Sequence, residues 1–497
     1  MVYIMKKILA LFTVLTLLVA SSSFALTTLN TENVDTEEQE KEYYKNENTK
    51  KPLLKSDEKV IDNSEIDQSS VNITSTSDDF DFERSIFEED SWKVYQDKAE
   101  EIVSNKSELR RTFSKISPDL ENIIKNLNND LSKSYITKEK PGLSKYYDLS
   151  NEKRKQNLSL LELYGYQAAI SKIDLVDDIS NDIEINKLDK LNNEVIKLDY
   201  TITIRFKHSD DNSVGNDLYN DTVYLINTTE GFKIIKFWRQ SQDFAYMEQL
   251  IKEKTVSGIK SFTTAISEDE IEKYIKDQTD KNIEQALEAK PYDDNLEEDT
   301  NQLISTRATT ITYDRQAVVN AALKYAIKPN PLFVEQINDC ANFVSQSIWQ
   351  SPQFSFDKIG NSDDYKWSCT KNSQGKYDRD IPVWAGVVKF YNYCLGNDNK
   401  NVAGTVHGLS AKTSGNTLDS IQLGDVVQFK HIPSSYTGTW GHSGIVVKFK
   451  KSSNRKTSDI VLAAHTDNTD NRTIAEFMAK DYIEDYRLIH INNYIVN

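Results

Sequence analysis

Hydrophobic positions change their spacing several times along the chain, and each change marks an expected element. Residues 8–20 form a largely apolar run behind Lys6 and Lys7. Across residues 26–80 only scattered apolar side chains interrupt Glu, Asn, Asp, Thr and Ser, too few to bury a core, so this stretch reads as a disordered acidic leader. In residues 81–145, Ile102, Leu109, Phe113, Leu120, Ile123, Ile124 and Leu127 recur at near-helical spacing, with Ser117-Pro118 as a helix start. Residues 146–246 switch from an amphipathic helix over 158–169 to strands. Leu198, Tyr200, Ile202, Ile204 and Phe206 alternate, and 221–238 folds back as a hairpin across Thr228-Thr229-Glu230-Gly231. Residues 247–304 are charged and helix-forming, with Glu284, Glu288 and Lys290 on an exposed face, and read as a helical linker.

Residues 305–497 form the last expected domain. Ala317, Val318, Ala321, Ala322 and Tyr325 predict a helix that ends before Pro329-Asn330-Pro331. A second helix follows, with Asp339 as its cap and Phe343, Val344 and Ile348 as its apolar stripe, which places Cys340 in the first turn. Strands are expected over 424–429, 440–447 and 460–468. The fold class is therefore α+β: a small helix-plus-antiparallel-sheet module ahead of a cysteine helix on an antiparallel sheet.

Composition narrows the function. Ser21-Ser22-Ser23-Phe24-Ala25 supplies small residues after the apolar run, so residues 1–25 read as a secretory signal peptide. The run is shorter than the roughly 20 residues of a membrane span, and no second one follows, so no integral membrane segment is expected in the mature form. No cysteine follows the run to take a lipid, and no sorting signal precedes Asn497, so the expected location is extracellular, free or bound non-covalently to the cell wall. Residues 305–497 carry 21 basic and 18 acidic side chains, which leaves residues 1–304 with a net −20 of the whole chain's −17. No basic face emerges, so nucleic acid is not an expected partner.

Three cysteines leave at least one thiol unpaired in an exported protein. Cys369 and Cys394 are the pair that a bridge would use, and Cys340 stays free. At a helix N-terminus unpaired N–H groups and the macrodipole favour thiolate and offer an oxyanion site, so Cys340 is the candidate nucleophile. Acyl transfer then needs a proton carrier and a group to orient it. His442 and His465, at the ends of neighbouring expected strands, can meet in an antiparallel meander; Asp467 and Asn468 are alternatives for the third role. Asp425 reads as a turn residue, Trp367, Trp384 and Trp440 as core or cleft wall, and Asn342, Ser345 and Gln346 as supports of the cysteine helix. His208 reads as a surface histidine. His407, His431 and His490 lack ligand spacing, so neither a metal nor a cofactor is expected.

The string Asp339-Cys340-Ala341-Asn342-Phe343-Val344-Ser345-Gln346, followed by Trp384, Gly424-Asp425-Val426-Val427, Gly441-His442-Ser443-Gly444-Ile445-Val446 and Ala464-His465-Thr466, resembles the bacterial "putative amidase domain" family. That family is similar to NlpC-type and CHAP cysteine hydrolases of papain-like fold. Ala341-Asn342 stands where NlpC-type enzymes show Ser-Gly. The resemblance covers about the last 190 residues and implies a papain-like (NlpC-like) domain with Cys340 as nucleophile, His442 as base and His465 as the orienting residue. It implies a thiol-dependent amidase or peptidase whose substrate is an amide of peptide or peptidoglycan. A transglutaminase-like acyl transferase, with Asp467 as third member, and a non-catalytic wall- or peptide-binding exoprotein are the alternatives. The middle module resembles cystatins or nuclear transport factors.

Overall fold

Helix α1 (Pro118–Thr137) starts on a proline, whose missing N–H costs nothing in a first turn, and buries Leu120, Ile124, Leu127, Leu131 and Tyr135 along one stripe. The computed structural model describes residue 87 and residues 118–496, except 175, 193, 210–211, 261–266, 293–308, 337, 351–366, 379–381, 396–407, 414–416 and 432–439. The signal segment 1–25, the leader 26–80, the positions Ile102, Leu109 and Phe113, and His407 lie outside the described residues. Among the described residues no helix is long and apolar enough to cross a membrane.

Helix α2 (Glu152–Ser171) is capped by Asn151, whose side chain accepts from Arg154 N at 3.1 Å. The helix expected over 158–169 is present within it, but it is buried on more than one face. Leu158, Leu160, Leu161, Leu163, Tyr164, Tyr166 and Ala169 are all buried, because α2 is covered by α1, by the sheet and by two later helices. The sheet begins with an antiparallel meander of β1 (Val176–Lys190), β2 (Val195–His208), β3 (Val214–Thr228) and β4 (Gly231–Gln240). The β3–β4 hairpin closes between Thr228 and Gly231, where Gly231 takes φ +102°, a conformation that a side chain would strain. His208 is buried at 1 % exposure, against the expectation of a surface position: its Nε2 accepts from Asn471 Nδ2 at 2.7 Å and its ring meets Phe206 edge-on.

Helix α3 (Gln242–Lys260) follows, then α4 (Glu268–Glu288), which opens on a capping box between Ser267 and Glu270. Helix α4 keeps Glu284 and Glu288 in solvent but docks Ile271, Ile275 and Ala286. The C-terminal part runs β5 (Thr309–Thr312), α5 (Arg315–Tyr325), α6 (Cys340–Trp349), the short β6 (Thr370–Lys371) and β7 (Tyr377–Asp378), α7 (Pro382–Ala385), α8 (Val387–Leu395), β8 (Gly408–Thr413), β9 (Val426–His431), β10 (Trp440–Phe449), β11 (Ile460–Ala464), β12 (Asn468–Thr473), α9 (Ile474–Met478) and β13 (Ile483–Val496).

One 11-stranded antiparallel sheet carries both parts, ordered β1-β2-β3-β12-β11-β10-β9-β13-β5, with β4 on β3 and β8 on β13. The seam is short: Asn468 pairs with Leu218 and Thr469 with Asp217. Buried charges line it, with Asp217 between Lys172 Nζ at 3.3 Å and Arg472 Nη2 at 3.7 Å. The fold class is thus mixed α+β around a large antiparallel sheet. Strands β9 to β11 divide two apolar clusters. Val426, Ile445, Val461 and Ala463 face α6 with Phe343, Val344 and Ile348, whereas Val427, Phe429, Val446, Leu462 and Ala464 face α9 with Ile474 and Phe477. That alternation decides which side of the sheet each candidate residue reaches.

Candidate active site

Cys340 opens α6 and is 4 % exposed, packed with Ala341, Val387 and Trp440. Its thiol donates to the Gly441 carbonyl at 3.8 Å, so the helix start rests on the beginning of β10. Burial pushes the thiol up to about 12, while the backbone N–H groups of Ser443, Ala341 and Cys340 itself pull it down. In this arrangement Cys340 is a neutral buried thiol, and the thiolate that its helix position predicts is opposed by desolvation. Cys369 and Cys394 are also buried, and no disulfide joins them.

Asp339 does not cap the helix: its side chain makes no cap hydrogen bond. Its carboxylate instead accepts from Asn342 Nδ2 at 2.7 Å and from the Nδ1 of His465. Trp384 Nε1 donates to Asn342 Oδ1 at 2.7 Å, Ser345 Oγ to the Trp384 carbonyl at 2.7 Å and Trp367 Nε1 to Ser345 Oγ at 3.1 Å. Trp384 and Trp367 are fully buried core residues, and Asn342 and Ser345 tie the cysteine helix to them. Asp425 likewise serves structure: it receives Arg315 Nη1 at 2.6 Å and His490 Nδ1 at 2.9 Å, which join α5, β9 and β13.

His442 and His465 are not brought together. Ile445 pairs with Ala463, so continuing that register sets Ser443, not His442, opposite His465, and a one-residue offset in a strand means the opposite face. Strand β11 also ends at Ala464, short of the expected 468; His465 enters a hairpin turn in which Thr466 and Asp467 take φ 61° and 66°. The His465 ring stacks on Phe343 with centroids 4.3 Å apart, on the face of α6. The His442 ring lies on the other face, 5.1 Å from the Phe477 ring and 6.0 Å from that of Phe429, and its buried Nε2 has no hydrogen-bond partner among the described residues.

A β-bulge explains the placement. Trp440 pairs with Lys430 and His442 with Phe429, so Gly441 is an extra residue that shares Phe429 with His442. The bulge turns Trp440 onto the side of Cys340 and leaves His442 on the far side. A Cβ at Gly441 would meet the His431 ring at 2.8 Å, which is why the extra residue is glycine. Asp467 accepts from Gln242 N at 3.3 Å and lies 3.6 Å from Lys480 Nζ, and Asn468 pairs into β3, so both face the middle module. Sequence spacing offered no sign of the Asp339–His465 pair, because its members lie 126 residues apart.

These histidines prefer opposite protonation states. Burial, then the Lys480 ammonium, holds His442 well below its ordinary value and His431 down to about 4. For His465 burial also acts downward, but the Asp339 carboxylate and the Tyr325 carbonyl outweigh it and raise the value. Stability from neutral His431 and His442 is therefore complete above the unfolded value near 6.5 and is lost as pH falls towards about 4. Stability from His465 is complete below about 6.5 and is lost as pH rises through its raised value. The melting temperature is expected to peak between these limits, and His465→Gln to flatten its alkaline decline. An unchanged alkaline decline in that variant would assign the limb to other groups. Among the described residues no three His, Cys, Asp or Glu side chains gather as a metal site.

A solved structure, a domain of unknown function with a cystatin-like fold from Nostoc punctiforme, aligns at 9 % identity over 29 % of this chain and 92 % of its own, with a TM-score of 0.18. No curated protein matches the chain. Residues 312–489, the segment that holds Cys340, His442 and His465, match the family described as "putative amidase domain", and are thereby similar to an amidase-type hydrolase.

Proposed function

We propose that residues 305–497 form a thiol-dependent amidase or peptidase domain of papain-like type, secreted with the help of residues 1–25, that hydrolyses an amide of cell-wall peptide. One observation carries the reading: within the segment similar to amidases, Cys340 opens a helix whose first turn lies against the strand that bears His442. The N–H groups of Ala341 and Ser443 near the sulfur are suited to a thiolate and to the oxyanion of a tetrahedral intermediate. Cys340 attacks the amide carbon, His442 takes the thiol proton and passes it to the leaving amine, and water then releases the acyl group as a carboxylate.

The proton step requires the His442 imidazole on the thiol's face. Moving the bulge by one residue, so that His442 and Ser443 share Gln428 instead of Gly441 and His442 sharing Phe429, turns His442 onto that face. A His442→Cys variant is then expected to form a disulfide with Cys340 under mild oxidation, read by peptide mass mapping. Failure to crosslink would remove His442 as the base.

A second reading, a binding module without turnover, is favoured by the neutral thiol and by His442 facing away from it. Mass analysis of products after incubating the full chain with purified peptidoglycan and with free stem peptides separates the two. New peptide termini that vanish in Cys340→Ser support the hydrolase, whereas retention of peptidoglycan without new termini supports the binding module. An isopeptide product would indicate a transglutaminase-like acyl transferase.

A further inference from the structure

Both ring nitrogens of His465 lie against oxygen atoms. Nδ1 faces the Asp339 carboxylate, and Nε2 lies 2.8 Å from the Tyr325 carbonyl. Neither partner has a proton to give when the carboxylate is ionised, so both bonds form only if both nitrogens carry hydrogen. We infer that His465 is held as an imidazolium and that, with Asp339, it forms a charged clamp that positions the first turn of the Cys340 helix. Its role is thus exerted on the nucleophile's helix and not on His442.

The surroundings agree with this assignment. His465 is 2 % exposed and Asp339 4 %, so the pair is shielded from solvent. The ionisable groups that act most strongly on the ring are Asp339, directly before the helix, and Glu335 on the approach to it, both acidic. Helix α5 presents the Tyr325 carbonyl, and α6 presents the Phe343 ring, on which the imidazole stacks. The turn that carries His465 adds a second tie, since Asp339 N donates to Thr466 Oγ1 at 3.0 Å. Three residues of the helix start are thereby fixed: Asp339 through His465 and Thr466, Asn342 through Asp339 and Trp384, and Cys340 between them.

The clamp also has an electrostatic consequence. The Asp339 carboxylate opposes ionisation of the neighbouring Cys340 thiol. A positive His465 offsets that opposition, and a neutral residue in its place leaves the carboxylate uncompensated beside the sulfur. The consequence for catalysis rests on Cys340 being the reacting group, but the charge state and the thiol's ionisation are measurable without turnover.

The test uses the full chain in two measurements. Nitrogen-15 spectra of the histidine side chains, with His465 assigned by its absence in His465→Gln, are expected to show both ring nitrogens protonated at pH 7. Iodoacetamide labelling of Cys340, followed by peptide mass mapping, is expected to slow about tenfold in His465→Gln, as one unit of thiol pKa implies. The rate should return to within about threefold of the parent in Asp339→Asn/His465→Gln, since the opposing charge has gone with its partner. A packing role alone would make the double variant no faster than the single one. A neutral, single-tautomer His465, or a double variant as slow as the single, would overturn the inference. If the single variant does not fold, Asp339→Asn/His465→Gln supplies the assignment of the His465 signals, and the spectra of the parent protein decide. Hydrolysis that persists in Cys340→Ser would instead discard the thiol reading and leave the clamp's charge state standing on its own measurement.

Discussion

Cys340→Ser is expected to lower the turnover of any amide that this protein hydrolyses by roughly 10⁴-fold or more, with the fold retained. The substitution exchanges sulfur for oxygen in a site 4 % exposed, bounded by Ala341, Val387 and Trp440, so the volume change is small. The chemical change is large. A serine hydroxyl ionises far less readily than a thiol, and neither the helix N–H groups nor a distant imidazole compensates for that difference. Thermal unfolding should stay cooperative and within a few degrees of the parent. Turnover within tenfold of the parent in a folded variant would exclude Cys340 as nucleophile and leave its position at the helix start a matter of packing.

The largest expected loss of stability lies in the β3–β4 pair of the middle module. Asp221 and Arg239 face each other across β3 and β4, with Arg239 Nε and Nη2 donating to the two carboxylate oxygens at 2.8 and 2.7 Å. Each is 1 % exposed, and the guanidinium also lies 4.3 Å from the Tyr219 ring centroid. Asp221→Ala leaves that cation buried without its counter-charge, and breaking a buried pair from one side costs about 3–5 kcal/mol. Removing both charges is different: Asp221→Leu/Arg239→Met should lie within about 1–2 kcal/mol of the parent, because the desolvation of both ions disappears with their attraction. Denaturant unfolding of the three proteins measures this. A cost below about 1 kcal/mol for Asp221→Ala would mean that water reaches Arg239, contrary to its burial.

What the chain's own pattern determined is local. The helix that begins at Cys340 follows from Phe343, Val344 and Ile348 at helical spacing, and the β3–β4 hairpin from alternation on either side of a turn that needs Gly231. The strands around Val426–His431 and Trp440–Phe449 follow from the short apolar groups Val426, Val427 and Phe429, and Ile445, Val446 and Val447, whose neighbouring side chains are buried on both faces. Strand β1 is not legible in the pattern because it is an edge: Ile179, Ile183, Ile185 and Leu188 are diluted by solvent-facing Asp, Asn, Glu and Lys, which leaves a weak alternation.

The tertiary structure alone decided the rest, for one physical reason. Side-chain direction in a strand depends on register, and register depends on partners distant in sequence. A single extra residue, Gly441, sends Trp440 to the thiol and His442 away from it; a lone glycine in a strand hints at a bulge, but not at which face each neighbouring side chain then takes. His465 meets Asp339, and His208 is buried against Asn471 263 positions away. Likewise α4 docks instead of spanning solvent, and among the described residues the two halves share one sheet through Leu218 and Asp217 on one side and Asn468 and Thr469 on the other. Such pairings depend on which surfaces the folded chain brings together, and local periodicity carries no trace of them.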